Sequence, residues 1–145
     1  MSKAELNNEK EQIVFGNDDV VIQKYISGIK GGRTLDMEGF ADKIVKAGHV
    51  IITKDGVYKP MPVTPETVTG SGDDAVTTPA GYGTLPTGYS YAGVLYKTIP
   101  ANKPFASIMT WGEVNIECVP YPMTSILTAF KTACPHIDFI KDEEA

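Results

Sequence analysis

The chain has 145 residues, a length typical of one domain that buries a hydrophobic core of its own. Its 18 acidic and 13 basic residues give a net charge of -5, and the basic residues are scattered, which argues against nucleic acid as a partner. No apolar run is long enough to span a bilayer, so we expect no membrane association. The 14 glycines and 10 prolines indicate many turns, and we predict a mainly β fold with one or two short helices, a β-rich α+β class.

The N-terminal residues predict an arm that precedes the domain. Residues 1–12 are mostly Glu, Lys and Asn, a composition with too little apolar surface to offset the entropy of ordering. Ile13, Val14 and Phe15 form a short apolar segment that can pair as a strand. We therefore predict a flexible arm over residues 1–19 that a partner orders, followed by a single compact domain over residues 20–145.

Three elements are predicted in the first half of that domain. Residues 20–26 have the composition of a strand, and residues 35–45 suggest a short amphipathic turn or helix, with Asp36 as a possible cap. Residues 49–53 and 57–60 are apolar runs joined around an Asp-Gly pair, the strongest local signal for a β-hairpin.

Residues 63–90 have a different composition. Of these 28 residues, seven are Thr, five Gly, three Pro and two Ser, and apolar residues show no clear period. Loops of this length are uncommon inside a compact domain and are usually functional. We expect a long surface loop that reaches toward a partner or solvent, although a tolerated insertion is an open alternative because closing a long loop costs little entropy.

The last third predicts the centre of the sheet and the best helix. In residues 91–119, two apolar runs flank a Pro-Ala-Asn-Lys-Pro connection and predict a strand pair. Residues 125–134 repeat apolar side chains at helical spacing, with Thr124 or Ser125 as the N-cap and Pro135 as the stop. Residues 136–140 alternate as a last strand.

Candidate chemistry is sparse. Cys134 and His136 are two positions apart and suggest a cysteine nucleophile with a histidine base, but Cys134 and Cys118 are better interpreted as buried free thiols. His49 is better interpreted as a hydrogen-bonded structural histidine. The Gly-Ser-Gly-Asp-Asp segment at 70–74 lacks the further ligands of a calcium loop. We assign no catalytic, cofactor-binding or metal-binding residue and predict that the protein is not an enzyme and needs no cofactor.

Aromatic side chains are concentrated in the second half of the chain, interleaved with Gly and Pro. Aromatic residues are enriched among the anchors of protein interfaces. Core packing is the simpler interpretation for Trp111 and Tyr96. The predicted partner-binding residues are Ile13, Val14, Phe15, Tyr82, Tyr89 and Tyr121.

The sequence GVL at 93–95, followed by IMTWGEVN at 108–115, an apolar helix and a terminal strand, resembles the head decoration proteins of tailed bacteriophages. The resemblance covers about residues 89–140 and centres on WGEVN at 111–115. In addition, GRTLD at 32–36 and KAGHVI at 46–51 resemble capsid-associated proteins of phages and prophages of gut bacteria, described as head fiber or auxiliary capsid proteins. The chain departs from small decoration proteins in its extra first half and in residues 63–90.

The resemblance implies a virion structural protein on the capsid exterior, produced in the host cytoplasm. Such a subunit forms a homotrimer and bridges neighbouring copies of the major capsid protein, while its N-terminal arm pairs with the capsid by β-augmentation. One alternative is a head fiber or adhesin that binds host surfaces through residues 63–90 and the tyrosines. The other alternative is a small cysteine hydrolase that uses Cys134.

Overall fold

The computed structural model describes residues 18–141, so the predicted strand-forming residues Ile13, Val14 and Phe15 lie outside the described part of the chain. The elements in chain order are α1 (Asp18–Val21), β1 (Ile22–Gly28), β2 (Arg33–Thr34), β3 (Ile44–Val45), β4 (Val50–Lys54), β5 (Val57–Pro60), β6 (Val63–Thr64), β7 (Thr67–Thr69), a 3₁₀ turn (Gly72–Asp74), β8 (Val76–Thr78), β9 (Gly81–Tyr82), β10 (Ser90–Leu95), β11 (Ile99–Pro100), β12 (Phe105–Ala106), β13 (Ile108–Asn115), α2 (Leu127–Ala133) and β14 (Ile137–Ile140). The prediction of a mainly β fold with short helices is confirmed. Neither helix in residues 18–141 is long and apolar enough to cross a membrane.

One six-stranded sheet organises the domain. Its strand order is β1-β13-β10-β4-β5, with β14 added parallel to β13. The predicted pair in residues 91–119 corresponds to β10 and β13, which are antiparallel with Val94 opposite Met109. Strand β13 also pairs with β1 through most of its length, so it is the strand with the most partners in the described fold.

The central strands of this sheet are buried on both faces. Val50 and Ile52 of β4 pack into one hydrophobic cluster and Ile51 packs into the other, because successive side chains of a strand point to opposite faces. Helix α2 covers the first face with Phe130, which is fully buried. Leu35 belongs to the cluster on the second face.

Several elements with strong local signals form as predicted. β4 and β5 are a hairpin whose turn residues, Asp55 and Gly56, have φ values of 51° and 80°, as a two-residue turn of type I′ requires. The predicted helix at 125–134 is observed as α2, and the final strand as β14. The helix begins later than predicted: its N-cap is Ile126, which makes no side-chain capping hydrogen bond.

Of the turn or helix predicted at residues 35–45, the helix is wrong, because the segment forms a turn at residues 38–39 and extended chain. Leu35 forms an isolated bridge with Tyr58, and the segment ends in β3, which pairs with β11. Asp36 does not cap a helix: its Oδ1 accepts a hydrogen bond from the backbone N–H of Glu38 at 3.1 Å, a local turn. Gly39, with a φ of 79°, breaks any helical path. The segment closes the second face of the sheet as extended chain.

Residues 63–90 contain more regular structure than the predicted loop. β6 pairs with β9 at the base, and β7 pairs with β8 farther out, so the excursion is a two-part antiparallel ribbon. Residues 64–79 are exposed throughout, whereas Tyr82 is buried, so the expected surface position holds only for the outer part of the excursion.

The described fold begins inside the predicted arm. The carboxylate of Asp18 accepts hydrogen bonds from the backbone N–H of Thr98 at 3.0 Å and from its hydroxyl at 2.6 Å. Thr98 Oγ1 in turn accepts a hydrogen bond from the backbone N–H of Ala47 at 3.1 Å. This chain of bonds attaches the start of α1 to the loops that follow β3 and β10.

Candidate functional site

The outer edge of β1 is the first candidate surface. β1 is the end strand of the sheet, and among residues 18–141 it pairs only with β13. Five of its residues, Gln23 to Ser27, are exposed, and the side chains of Tyr25 and Ile26 are each more than two-fifths exposed. An end strand with apolar side chains offers unpaired backbone groups to another strand. We call this surface the β1 edge.

Trp111 extends the β1 edge onto the neighbouring strand. It lies opposite Ser27 on β1 and is 48% exposed, so the prediction of core packing for Trp111 is wrong. Met109, two positions earlier in the same strand, is fully buried. Buried and exposed side chains therefore do not alternate regularly along β13. The irregular register between β1 and β13 accompanies this arrangement. The Trp111 ring lies 5.3 Å from the ring of His136.

The second candidate surface is built on a cluster of four aromatic rings, in which buried rings pack beneath half-buried ones. His49 is buried at the centre, with edge-on contacts to Phe40 at 5.6 Å, Tyr82 at 5.3 Å and Tyr121 at 5.7 Å between ring centroids. His49 Nε2 donates a hydrogen bond to the carbonyl oxygen of Met61 at 3.0 Å. The interpretation of His49 as a hydrogen-bonded structural residue is confirmed. We call these four rings the His49 cluster.

Burial sets the electrostatics of the His49 cluster. Desolvation lowers the pKa of His49 to about 4, against smaller opposing effects of the Met61 carbonyl and the Asp42 charge. Desolvation also raises the pKa of Tyr121, and Asp42, which accepts a hydrogen bond from its hydroxyl at 3.2 Å, raises it further. The imidazole is therefore neutral near pH 7.

A cleft of about 410 Å³ opens beside the His49 cluster. Phe40 and Tyr121 form part of its wall, and its charged lining consists of Asp36, Glu38, Asp42, Glu66 and Lys59. Within residues 18–141, no group of three or more His, Cys, Asp or Glu side chains is placed to hold a metal ion. The cleft combines aromatic walls with an acidic rim.

The three predicted partner-binding tyrosines occupy different environments. Tyr82 is buried, and its hydroxyl accepts a hydrogen bond from the backbone N–H of Val50 at 3.1 Å. Tyr121 is half-buried in the His49 cluster. Tyr89 is half-buried beneath two lysine ammonium groups, those of Lys54 and Lys59, at 5.7 and 5.5 Å from its ring centroid. The structure brings Tyr82 and Tyr121 together at 5.5 Å, whereas Tyr89 lies in a separate contact.

The burial of Tyr82 changes the role that it can have. A ring that is 7% exposed supports a surface from below and does not itself present a face to a partner. The partner-binding assignments of Tyr89 and Tyr121 stay predictions. Sequence reasoning predicted a strand at residues 20–26 but missed Tyr25 and Ile26 as surface residues, because no sequence pattern marks this strand as the edge of the sheet.

The outer part of the excursion is the third candidate surface. β7 and β8 pair Val68 with Thr77 and Thr69 with Val76, so each face of the ribbon carries one valine. Both valines are 61% exposed. Three acidic residues lie within residues 66–78, which contain no basic residue: Glu66, Asp73 and Asp74. We call residues 66–78 the acidic ribbon.

A basic and apolar patch is the fourth candidate surface. Phe105, in the short β2–β12 pair, is 69% exposed, the highest value among the exposed large hydrophobic side chains of the described chain. Lys30 lies in the turn before β2, Arg33 is the first residue of β2, and Lys103 lies two positions before Phe105. All three basic residues are exposed, and segments 29–34 and 103–107 contain no acidic residue. We call Lys30, Arg33, Lys103 and Phe105 the Phe105 patch.

The cysteines are both free thiols, but only Cys134 is buried, whereas Cys118 is half-buried. Burial raises the pKa of Cys134 to about 11, and its Sγ donates a 3.6 Å hydrogen bond to the carbonyl oxygen of Tyr91. A nucleophilic cysteine needs the opposite shift, toward a thiolate at neutral pH. The surroundings of Cys134 therefore favour packing.

Comparison of the chain with protein-family models, with curated proteins and with solved structures finds no match in any of the three.

Proposed function

We propose that the chain is a virion structural protein that decorates the capsid of a tailed phage and stabilises it by bridging major capsid subunits. In this proposal the protein forms a homotrimer on the capsid exterior after synthesis in the host cytoplasm. The observation that carries the proposal is the β1 edge, an exposed strand that directly follows the N-terminal segment of the chain. Such an edge suits a protein that works by adding strands and burying aromatic side chains against a partner.

Two further features support a binding role. The segment with the strongest resemblance to decoration proteins, residues 111–115, lies in β13, next to the β1 edge, with Trp111 half-exposed. The interface of one subunit need not be large, because many identical contacts around a closed ring add by avidity. The central strands of the sheet, which are buried on both faces, supply a rigid base for these contacts.

The test is binding to purified capsids that lack the chain. Deletion of residues 1–15 should weaken binding strongly while leaving the fold of the remaining chain intact, because Asp18 and the elements after it are retained. Trp111→Ser should also weaken binding by removing an exposed aromatic anchor. Deletion of residues 142–145 is the matched control and should bind as the full chain does. Unchanged occupancy of the 1–15 deletion on capsids would remove the arm from the proposal.

A second candidate, a head fiber or host-surface adhesin, is favoured by the acidic ribbon, which is exposed along its whole length. It receives less support from the tyrosines, because Tyr82 is buried and Tyr89 is half-buried. Binding to host cells separates the two candidates: an adhesin binds host cells and loses that binding when residues 66–79 are deleted, whereas a decoration subunit has no host-cell binding to lose. The hydrolase alternative gains no support from the environment of Cys134.

A further inference from the structure

The acidic ribbon is an unusual element for a free surface. Its six paired residues are all β-branched, and all six are exposed on both faces. A two-stranded ribbon that buries no side chain is marginally stable in water, because cross-strand pairs alone contribute little. The valines at 68 and 76 are suited to burial, so the ribbon has the composition of an element that becomes covered.

The Phe105 patch complements the acidic ribbon in charge and in apolar character. The ribbon has three acidic side chains and no basic one, a charge of -3, and the patch segments have three basic side chains and no acidic one, a charge of +3. Each surface also exposes large apolar side chains: Val68 and Val76 on the ribbon and Phe105 on the patch. Opposite charges around an apolar centre are the usual composition of a specific interface.

We infer that the acidic ribbon of one copy docks on the Phe105 patch of a second copy. Within one chain the two surfaces do not cover each other, because the valines are 61% and Phe105 is 69% exposed. Two different surfaces in contact make a heterologous interface, which forms a ring when the rotation closes. The inference rests on the self-association in the proposed function but not on capsid binding, and it names the two surfaces that would make the contact.

The first test reverses the charge of each surface separately. The variants are Asp73→Lys/Asp74→Lys in the ribbon and Lys30→Glu/Lys103→Glu in the patch; Arg33 is retained because it packs over the ring of Tyr58. Self-association of the full chain is measured by analytical ultracentrifugation over a range of concentrations and salt. We expect each variant alone to associate about 100-fold more weakly than the original chain, because like charges then face each other.

The second test mixes the two variants. The reversed ribbon of one variant then faces the reversed patch of the other, and the two unreversed surfaces also have opposite charges, so the mixture should associate more strongly than either variant alone. Merely destabilised proteins would not recover on mixing. Glu117→Lys/Asp138→Lys makes the same charge change as the ribbon variant at exposed positions outside both surfaces and should associate like the original chain.

Three outcomes would overturn the inference: a monomeric original chain at every concentration, variants that associate normally, or a mixture that stays monomeric. Loss of association in the patch variant alone would also overturn it, because another segment would then occupy the patch. Capsid binding is measured separately on the same variants. If the original chain binds capsids but does not associate through these two surfaces, this inference is wrong and capsid binding stands. If it associates through these surfaces but does not bind capsids, only the capsid-binding part of the proposed function is wrong.

Discussion

His49 donates a hydrogen bond through Nε2 to the carbonyl oxygen of Met61, 3.0 Å away, across the open end of the β4–β5 hairpin. The backbone N–H of Met61 donates to the carbonyl oxygen of Val50 at 2.8 Å, so the two bonds lie side by side. The imidazole must carry its proton on Nε2, because a carbonyl oxygen can only accept. One neutral tautomer therefore joins the first residue before β4 to the first residue after β5.

This arrangement predicts a stability that falls in mild acid. The folded chain holds the pKa of His49 at about 4, below its ordinary value of 6.5, so the unfolded chain takes up a proton first as the pH falls. The stabilisation is complete above pH 6.5 and is lost as the pH falls from there toward 4. The loss amounts to about 3 kcal/mol of unfolding free energy over this range. Urea unfolding as a function of pH measures it.

His49→Gln is the variant that isolates this effect. An amide can still donate to the Met61 carbonyl but does not titrate. We expect it to be less stable than the original chain at neutral pH and to lose less stability on acidification. His136→Gln, at an exposed histidine, is the matched control and should keep the original slope. Equal slopes for His49→Gln and the original chain would contradict the assignment.

Gly112 lies at a point in the sheet that leaves no room for a side chain. It lies opposite Tyr25 on β1 and Ile137 on β14, and a Cβ atom here would overlap the carbonyl oxygen of Lys24 and the sulfur of Met109. Gly112→Ala should therefore lower the unfolding free energy by about 1–3 kcal/mol through overpacking. Thermal unfolding followed by circular dichroism measures the change.

Gly81→Ala is the control for that substitution. Gly81 also lies in a strand, but a Cβ atom there would meet nothing within 4 Å. The midpoint for Gly81→Ala should stay close to that of the original chain. If the two alanine variants lost equal stability, the close packing at Gly112 would not be the cause.

Local signals predicted the central part of the fold. The Asp-Gly pair at 55–56 specifies a turn with positive φ, and the apolar period of residues 125–134 specifies a helix, because each is encoded within a few residues. The β10–β13 pair was predictable for the same reason. These elements do not depend on which distant strand packs beside them.

Tertiary contacts decide the remainder. Residues 35–45 have a helical apolar period, yet Leu35 bridges to Tyr58 and Val45 pairs with Ile99, and these distant partners outweigh a weak local preference. Trp111 was expected in the core because large aromatics are usually buried, but the irregular β1–β13 register accompanies its exposure. No sequence pattern shows which strand will be the sheet edge, so the β1 edge could not be predicted.

Asp18 anchors the start of the described fold to Thr98, and its removal should destabilise the domain. Asp18→Ala removes the acceptor of two hydrogen bonds and leaves the Thr98 N–H without it, which should cost about 1–3 kcal/mol of unfolding free energy. Asp18→Asn keeps one acceptor oxygen and should lose less. Asp138→Ala removes an exposed carboxylate from β14 and should change the stability little. Equal losses at positions 18 and 138 would contradict the anchoring role.

Cys134 should react slowly with alkylating reagents in the folded protein. Its pKa of about 11 leaves little thiolate at neutral pH, and the side chain is buried near Tyr91. With Cys118→Ser as the background, we expect iodoacetamide to modify Cys134 at least about 100-fold more slowly in the native state than in urea. The reverse variant, Cys134→Ser, reports on half-buried Cys118, which should show a smaller difference between the two states. Rapid labelling of Cys134 in the native state would contradict its packing role and would support a nucleophilic cysteine. Slow labelling would argue against the cysteine hydrolase alternative.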